Sequence, residues 1–188
     1  MKKFSILFVL TFGVVISMVA QNDDWYTVKD MGSGYRVDFP CVADKTSNNI
    51  STAKGPVLME SYGCYALMAD KGISFMSSYT EYPVEYFPDG LESEAAQDTF
   101  FKGSVNGAVT NLNGKLLNEQ AITFNGYPGR RIEIEVINQG ATYLMTMWSL
   151  LVGYEFYIIQ TIEESNSSSL ETKKQFFDSF ELIKIKGD

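Results

Sequence analysis

Two cysteines, a handful of carboxylates and a run of tyrosines are the residues here with chemistry to offer, and no histidine stands beside any of them. The 188-residue sequence contains none at all. That removes Ser-His-Asp and Cys-His nucleophile pairs, His-ligated zinc or iron, and imidazole acid–base work. The two cysteines are Cys41 and Cys64. Their spacing fits neither a redox Cys-x-x-Cys nor a zinc knuckle. In an oxidising compartment one disulfide between them would close a loop of about two dozen residues and contribute roughly 3 kcal/mol; two buried free thiols are the alternative. Glu133 and Glu135 share one face of a predicted strand, about 7 Å apart by the strand rise. Glycosidase chemistry needs carboxylates facing each other across a cleft, so this pair reads as a solvated strand face. Gly32-Ser-Gly34 lacks the Lys-Ser and helix of a phosphate loop. No acidic run has calcium-loop spacing, and Asn22-Asp23-Asp24 reads as a solvated tail. No catalytic residue, metal site or cofactor is expected.

The stretch Tyr79-Thr-Glu-Tyr-Pro-Val-Glu-Tyr-Phe-Pro88 is different in kind. Tyrosines on a loop offer large contact area at low entropy cost. Tyr79, Tyr82, Tyr86 and Phe87 therefore form a candidate binding loop. The competing reading is structural, with Tyr82 and Phe87 pinning a strand-to-helix crossover onto the core. Five methionines, Met59, Met68, Met76, Met145 and Met147, suit either an adaptable apolar pocket or ordinary core packing. Asn49-Ile-Ser51 and Asn166-Ser-Ser168 match the glycosylation sequon, a short pattern frequent by chance.

The elements that must position these residues follow an export leader. Lys2 and Lys3 precede an apolar run over residues 4–19 that ends in small residues, the pattern of a secretory signal. Residues 1–20 are expected to be removed after Ala20, with Ser17 as the fallback. The run is shorter than the ~20 residues of a spanning helix. Gln21 stands where a lipoprotein would carry its cysteine. Residues 21–188 then form one domain, periplasmic or secreted. Losing both lysines takes the formal charge from −8 to −10, which repels nucleic acid and anionic lipid. No later stretch is apolar and long enough to insert in a membrane.

Within the domain, residues 25–29 read as a short strand, Met31-Gly-Ser-Gly34 as a turn, and Tyr35, Val37 and Phe39 as the buried face of a strand stopped by Pro40. Residues 41–56 are polar and read as a loop. Residues 57–69 and 73–82 read as a hairpin about Asp70-Lys71-Gly72. Asp89, with Glu92, is the expected cap of a helix running to Ala108, with Leu91, Ala95, Phe101, Val105 and Ala108 on its inner face. Four strands follow, at 115–124, 131–137, 141–152 and 154–162, the first pair joined by Asn125-Gly-Tyr-Pro-Gly129 and the second by Asn138-Gln-Gly140. The last two strands are apolar on both faces and must be covered on both. After a linker at 163–169, a capping box of Ser168 and Glu171 opens a helix facing inward through Leu170, Phe176, Phe177 and Phe180. Residues 181–185 close the chain as a strand. The whole is an α+β domain with mostly antiparallel neighbours.

Three pieces in this order carry a resemblance: Gly34-Tyr-Arg-Val-Asp-Phe-Pro40, Gly126-Tyr-Pro-Gly-Arg130 and Phe176-Phe-Asp-Ser-Phe-Glu-Leu182. Together they resemble the PsbP-like superfamily of photosystem extrinsic subunits and small exported bacterial proteins. The resemblance implies a twisted antiparallel sheet with helices packed on its two faces, an α/β/α sandwich. It implies binding, assembly or accessory roles and carries no catalytic motif. Pro40 and Pro128 are read as strand stops in these pieces, so no functional residue is transferred.

The expectation is an exported, non-enzymatic module that binds a protein partner. The alternative is a carrier of a small apolar ligand between sheet and helix.

Overall fold

The structure is a computed structural model that describes residues 25–68, 71–165 and 169–183. The leader, Asn22-Asp23-Asp24, Asp70, the sequon at Asn166, Ser168 and the end of the last expected strand lie outside the described residues, as does the side chain of Met68. Among the described residues the order is β1 (Tyr26–Asp30), β2 (Tyr35–Phe39), β3 (Asp44–Thr52), β4 (Gly55–Met68), β5 (Lys71–Glu81), α1 (Glu94–Asn111), β6 (Lys115–Phe124), β7 (Tyr127–Asn138), β8 (Ala141–Val152), β9 (Glu155–Glu164), α2 (Leu170–Asp178) and β10 (Glu181–Leu182). All pairings are antiparallel, and the class is α+β.

The strands build two sheets rather than one. β1-β2-β10 form a small sheet, and β3-β4-β5-β9-β8-β7-β6 form a large one. β8 and β9 lie near the centre of the large sheet, as strands apolar on both faces must. Side chains alternate across a strand, so one face of the large sheet supplies Phe75, Tyr79, Leu150, Tyr157 and Ile159 to a buried cluster with Tyr35, Val37 and Phe39 of β2 and Phe176, Phe177 and Phe180 at α2. The alternate residues Ile132, Ile134, Met145 and Met147 cluster with Val105 of α1. Leu151 and Phe156 join Leu91 and Phe101 in a third cluster. Burying a side chain such as Phe176 in full contributes roughly 1.5–3 kcal/mol.

Several boundaries depart from the sequence reading. Residues 41–56 are not a loop: β3 pairs with β4 from Asp44↔Gly63 to Thr52↔Gly55. β3 is an edge strand with mostly exposed polar side chains, so it has no apolar alternation to reveal it; backbone bonds to β4 hold it in place. A polar edge also discourages pairing with other chains. α1 starts five residues later than Asp89 and ends at Asn111. Its cap is Ser93, whose hydroxyl accepts from the Ala96 amide at 3.2 Å. Leu91 is buried ahead of the helix, and Ala95 faces solvent while Ala96 packs inward.

The turn before β7 is only Asn125-Gly126, with φ of 51° and 86°, a two-residue hairpin that needs positive φ at both positions. Pro128 does not stop a strand. It pairs with Thr123 inside β7, one residue before Gly129 begins the pairing with β8, so its missing N–H removes no bond to β8. Glu163 belongs to β9 rather than to a linker. It is buried and bonded by Ser169 and Lys173. Ser169, not Ser168, precedes α2, and its hydroxyl goes to Glu163 rather than to a helix amide. Leu170 is exposed at the first turn. β10 is only two residues long and pairs with β2.

A disulfide and a charged cluster are among the ties between the two sheets. Cys41, just beyond β2, is disulfide-bonded to Cys64 in β4, with Cα atoms 6.0 Å apart. Asp30 of β1 accepts from Lys45 of β3 at 3.0 Å and from Tyr62 of β4 at 2.9 Å.

Candidate functional site

The β1–β2 turn ends over the large sheet and leaves a cleft of about 610 Å³ beside it, walled by Gly32, Leu58 and Glu60 of β4, Tyr79 and Glu81 of β5, Tyr82, Pro83, Val84 and Tyr154. Strand alternation puts Leu58, Glu60, Tyr79 and Glu81 on the sheet face that meets β2. Pro83 ends β5, and a single 3-10 turn at Val84–Tyr86 carries the chain around the rim. Leu58 and Val84 remain 53% and 59% exposed, so the rim presents two aliphatic side chains to solvent.

The cleft floor is polar and firmly bonded. The Tyr79 hydroxyl donates to Glu155 Oε1 at 2.9 Å and leans toward Glu81 Oε2 at 3.4 Å. The Tyr157 hydroxyl lies 3.0 Å from both Glu155 Oε2 and the Ser33 carbonyl and shares its hydrogen between them. Glu155 is buried and stands opposite Glu81 in the ladder. Burial first, and the neighbouring Glu155 charge second, push the phenols of Tyr79 and Tyr157 well above the ordinary value. Tyr35, deeper in the core and bonded to Ser77 at 3.0 Å, is also raised, chiefly by burial. Tyr79 and Tyr157 thus stay protonated and serve as hydrogen-bond donors to Glu155.

The candidate loop residues divide. Tyr79 and Tyr82 reach the cleft. Tyr86 turns away, its hydroxyl donating to the Pro56 carbonyl at 3.1 Å, and Phe87 lies under Lys54, 5.6 Å from the ring centre. Tyr82 and Tyr86 are both half-buried. Tyr82 is edge-on to Phe87 and Phe100 at 5.8 and 5.3 Å and packs with Phe87 against the cluster around Phe101 and Phe156. Tyr82 therefore both anchors the crossover and faces the cleft.

Sequence reasoning singled out the segment that holds Glu81 and Val84 without selecting either residue. Leu58, Glu60, Tyr154 and Gly32 carried no local signal, because strand pairing alone brings them to one place. Glu133 is bonded by Arg131 on its own strand at 3.5 Å, and both it and Glu135 are absent from the cleft wall. Met145 and Met147 are packed in the core with Val105, while Met59 and Met76 are half-buried. Among the described residues no three His, Cys, Asp or Glu side chains are grouped so as to hold a metal ion, and no helix is long and apolar enough to cross a membrane.

No protein-family model matches the chain, and no curated protein matches its sequence. The chain is similar in fold to cyanobacterial PsbP from Synechocystis, with 14% identity and a TM-score of 0.48 over 87% of this chain and 95% of that one. It is also similar to a protein of unknown function from Pseudomonas aeruginosa, with 11% identity and a TM-score of 0.44 over 82% and 92% of the two chains. A Bacteroides thetaiotaomicron structure matches at 10% identity and a TM-score of 0.48 over 82% of this chain and 47% of that one, so this chain spans about half its length.

Proposed function

We propose that this protein is exported and acts as a non-catalytic binding module, receiving a protein partner at the cleft between β4, β5 and the loop at Tyr82. The observation that carries this reading is the wall itself: exposed Leu58 and Val84 beside Tyr79, Tyr82 and Tyr154. Tyrosines with aliphatic neighbours are the surface type from which interface anchors are drawn. The anchoring of Tyr82 against Phe87 and Phe100 lowers the entropy cost of ordering the loop on binding.

Location and inactivity as an enzyme belong to the same proposal. The basic-then-apolar leader supports removal of residues 1–20 and a periplasmic or secreted domain. The Cys41–Cys64 bond is of the kind an oxidising compartment sustains. In this reading the domain is an α/β/α sandwich, with α1 and α2 covering opposite faces of the large sheet. The histidine-free sequence and the elevated phenol pKa values favour binding over acid–base catalysis. Nucleic acid is a poor partner for so acidic a chain. The packing of Met145 and Met147 against Val105 favours a protein partner over an apolar ligand held between α1 and the sheet.

The test is photo-crosslinking in the organism that makes the protein, with a benzophenone side chain at Val84 and, as control, at Asn118 on β6. A discrete adduct at Val84 and none at Asn118 is expected. No adduct at Val84, or the same adducts at both positions, overturns the reading.

A further inference from the structure

We propose that Asn125 is a self-modification site: its side-chain amide cyclises onto the Gly126 nitrogen, and water then opens the ring to aspartate or isoaspartate. The inference stands apart from the binding reading, since the β6–β7 turn contributes nothing to the cleft wall. The chain has three Asn-Gly pairs, beginning at Asn106, Asn113 and Asn125. Glycine has no Cβ to crowd its own nitrogen, so all three are chemically competent in an unfolded chain. The fold separates them by what it does with the nitrogen that must attack. Gly107 lies inside α1, where its amide belongs to the helix ladder. The Gly114 amide donates to the Val109 carbonyl at 2.9 Å. A Cβ on Gly114 would lie 2.5 Å from Ile134 Cγ2, so that backbone is also tightly packed. Among the described residues, none accepts from the Gly126 amide and none bonds the Asn125 side chain. Asn125 and Gly126 are both exposed, and a Cβ on Gly126 would meet nothing within 4 Å.

The step balances with water as the only co-reactant. The Gly126 nitrogen gives its proton to solvent and attacks Cγ of Asn125. The Cγ–Nδ2 bond breaks, ammonia leaves with a proton returned from solvent, and a succinimide ring closes. Water then opens the ring at Cγ, giving aspartate, or at the Asn125 backbone carbonyl carbon, giving isoaspartate. Gln139-Gly140 is a built-in contrast. It sits in a turn of the same kind, with φ of 51° and 83°, but its side chain is one methylene longer and would have to close a larger ring. The two products differ in consequence. Aspartate before glycine still suits a two-residue hairpin and adds a negative charge. Isoaspartate inserts a methylene into the main chain at the tip, where Phe124 pairs with Tyr127. Ile122, Phe124 and Tyr127 pack on the core cluster shared by β2 and α2, so isoaspartate loosens the β6 end of the large sheet.

The test incubates the folded protein, and in parallel the same protein unfolded in guanidinium chloride, in mildly alkaline buffer. Tryptic peptides 103–115 and 116–130 then separate Asn106 and Asn113 from Asn125. Mass spectrometry scores the exchange of amide for carboxyl at each site, and enzymatic methylation specific for isoaspartate scores the rearranged product. In denaturant the three sites are expected to convert at similar rates. In the folded protein Asn125 should stay close to its unfolded rate, whereas Asn106 and Asn113 react only from locally opened chains and slow by about tenfold or more. Conversion at Asn125 slowed as much as at the other two overturns the inference, as does faster conversion at Asn106, Asn113 or Gln139 in the folded protein. Asn125→Gln keeps an amide at the tip and should abolish the rapid conversion of peptide 116–130. If that peptide still converts as fast, the reaction lies elsewhere and the inference falls.

Discussion

The Tyr79 hydroxyl donates to Glu155 Oε1 at 2.9 Å across the central ladder from β5 to β9, so the wall of the cleft and a buried carboxylate are held by one bond. Tyr79 pairs with Tyr157, the second donor to Glu155, in the same ladder. The floor of the cleft is thus built into a buried part of the sheet.

Tyr79→Phe keeps the ring and removes this donor. A buried hydrogen bond to a charged group contributes roughly 1.5–3 kcal/mol, so the variant should lose about 2 kcal/mol. Urea unfolding should show a lower midpoint with an unchanged slope. A midpoint equal to wild type would mean that Glu155 is satisfied without Tyr79.

Breaking the Cys41–Cys64 bond, by reductant or by the Cys41→Ser/Cys64→Ser double variant, should cost about 3 kcal/mol by loop-entropy arithmetic. The two sheets remain joined through Asp30, Lys45 and Tyr62, so the domain should still unfold cooperatively. Denaturant curves with and without reductant measure the difference, and coincident curves would refute the expectation.

Asp30 is the acid-sensitive group of the inter-sheet junction. Burial pushes its carboxyl up, but the Ser33 amide, Lys45 and Tyr62 together outweigh that and hold it below its ordinary value of 3.8. A carboxyl depressed in the folded state stabilises the fold above its unfolded value, and that stability is lost as pH falls through the folded value. The stability advantage of wild type over Asp30→Asn should therefore be constant near neutrality and shrink below about pH 4. Melting temperatures measured from pH 7 down to pH 2.5 test this, and an advantage that persists unchanged at the acid end counts against it.

Gly129 faces a different limit. A Cβ there would lie 2.5 Å from the Ser149 carbonyl oxygen and 2.8 Å from Leu150 Cδ2. Gly129→Ala must push β7 from β8, at a cost of about 1–3 kcal/mol. Amide exchange should accelerate first along the β7–β8 ladder. Wild-type stability in this variant would show that the strands have slack.

Residues whose neighbours in the chain carry the same message were legible without a structure. Tyr35, Val37 and Phe39 alternate with polar residues and are buried at 1%, 0% and 0% exposure. Asn138-Gln139-Gly140 sits where a two-residue turn joins β7 to β8. The aromatic segment from Tyr79 to Pro88 marked one wall of the cleft. The start of α1 was less legible because Asp89 and Ser93 are both good caps; Gly90, at φ 75°, is not helical, and the Ser93 hydroxyl takes the Ala96 amide. β3 was invisible because an edge strand exposed to solvent needs no apolar period.

The amino-acid sequence by itself determined the local matters: the alternation of β2 and β7, the apolar run of β8, the glycine turns, the aromatic face of α2 and the lack of imidazole. These depend on residues within a few positions of one another, where backbone geometry and side-chain period act directly. Only the tertiary structure decided that the strands divide into two sheets, that Cys41 meets Cys64, and that Leu58, Glu81, Val84 and Tyr154 wall one cleft. Those are contacts between strands distant in the chain, selected by which buried faces can cover each other, and no short window of sequence contains both partners.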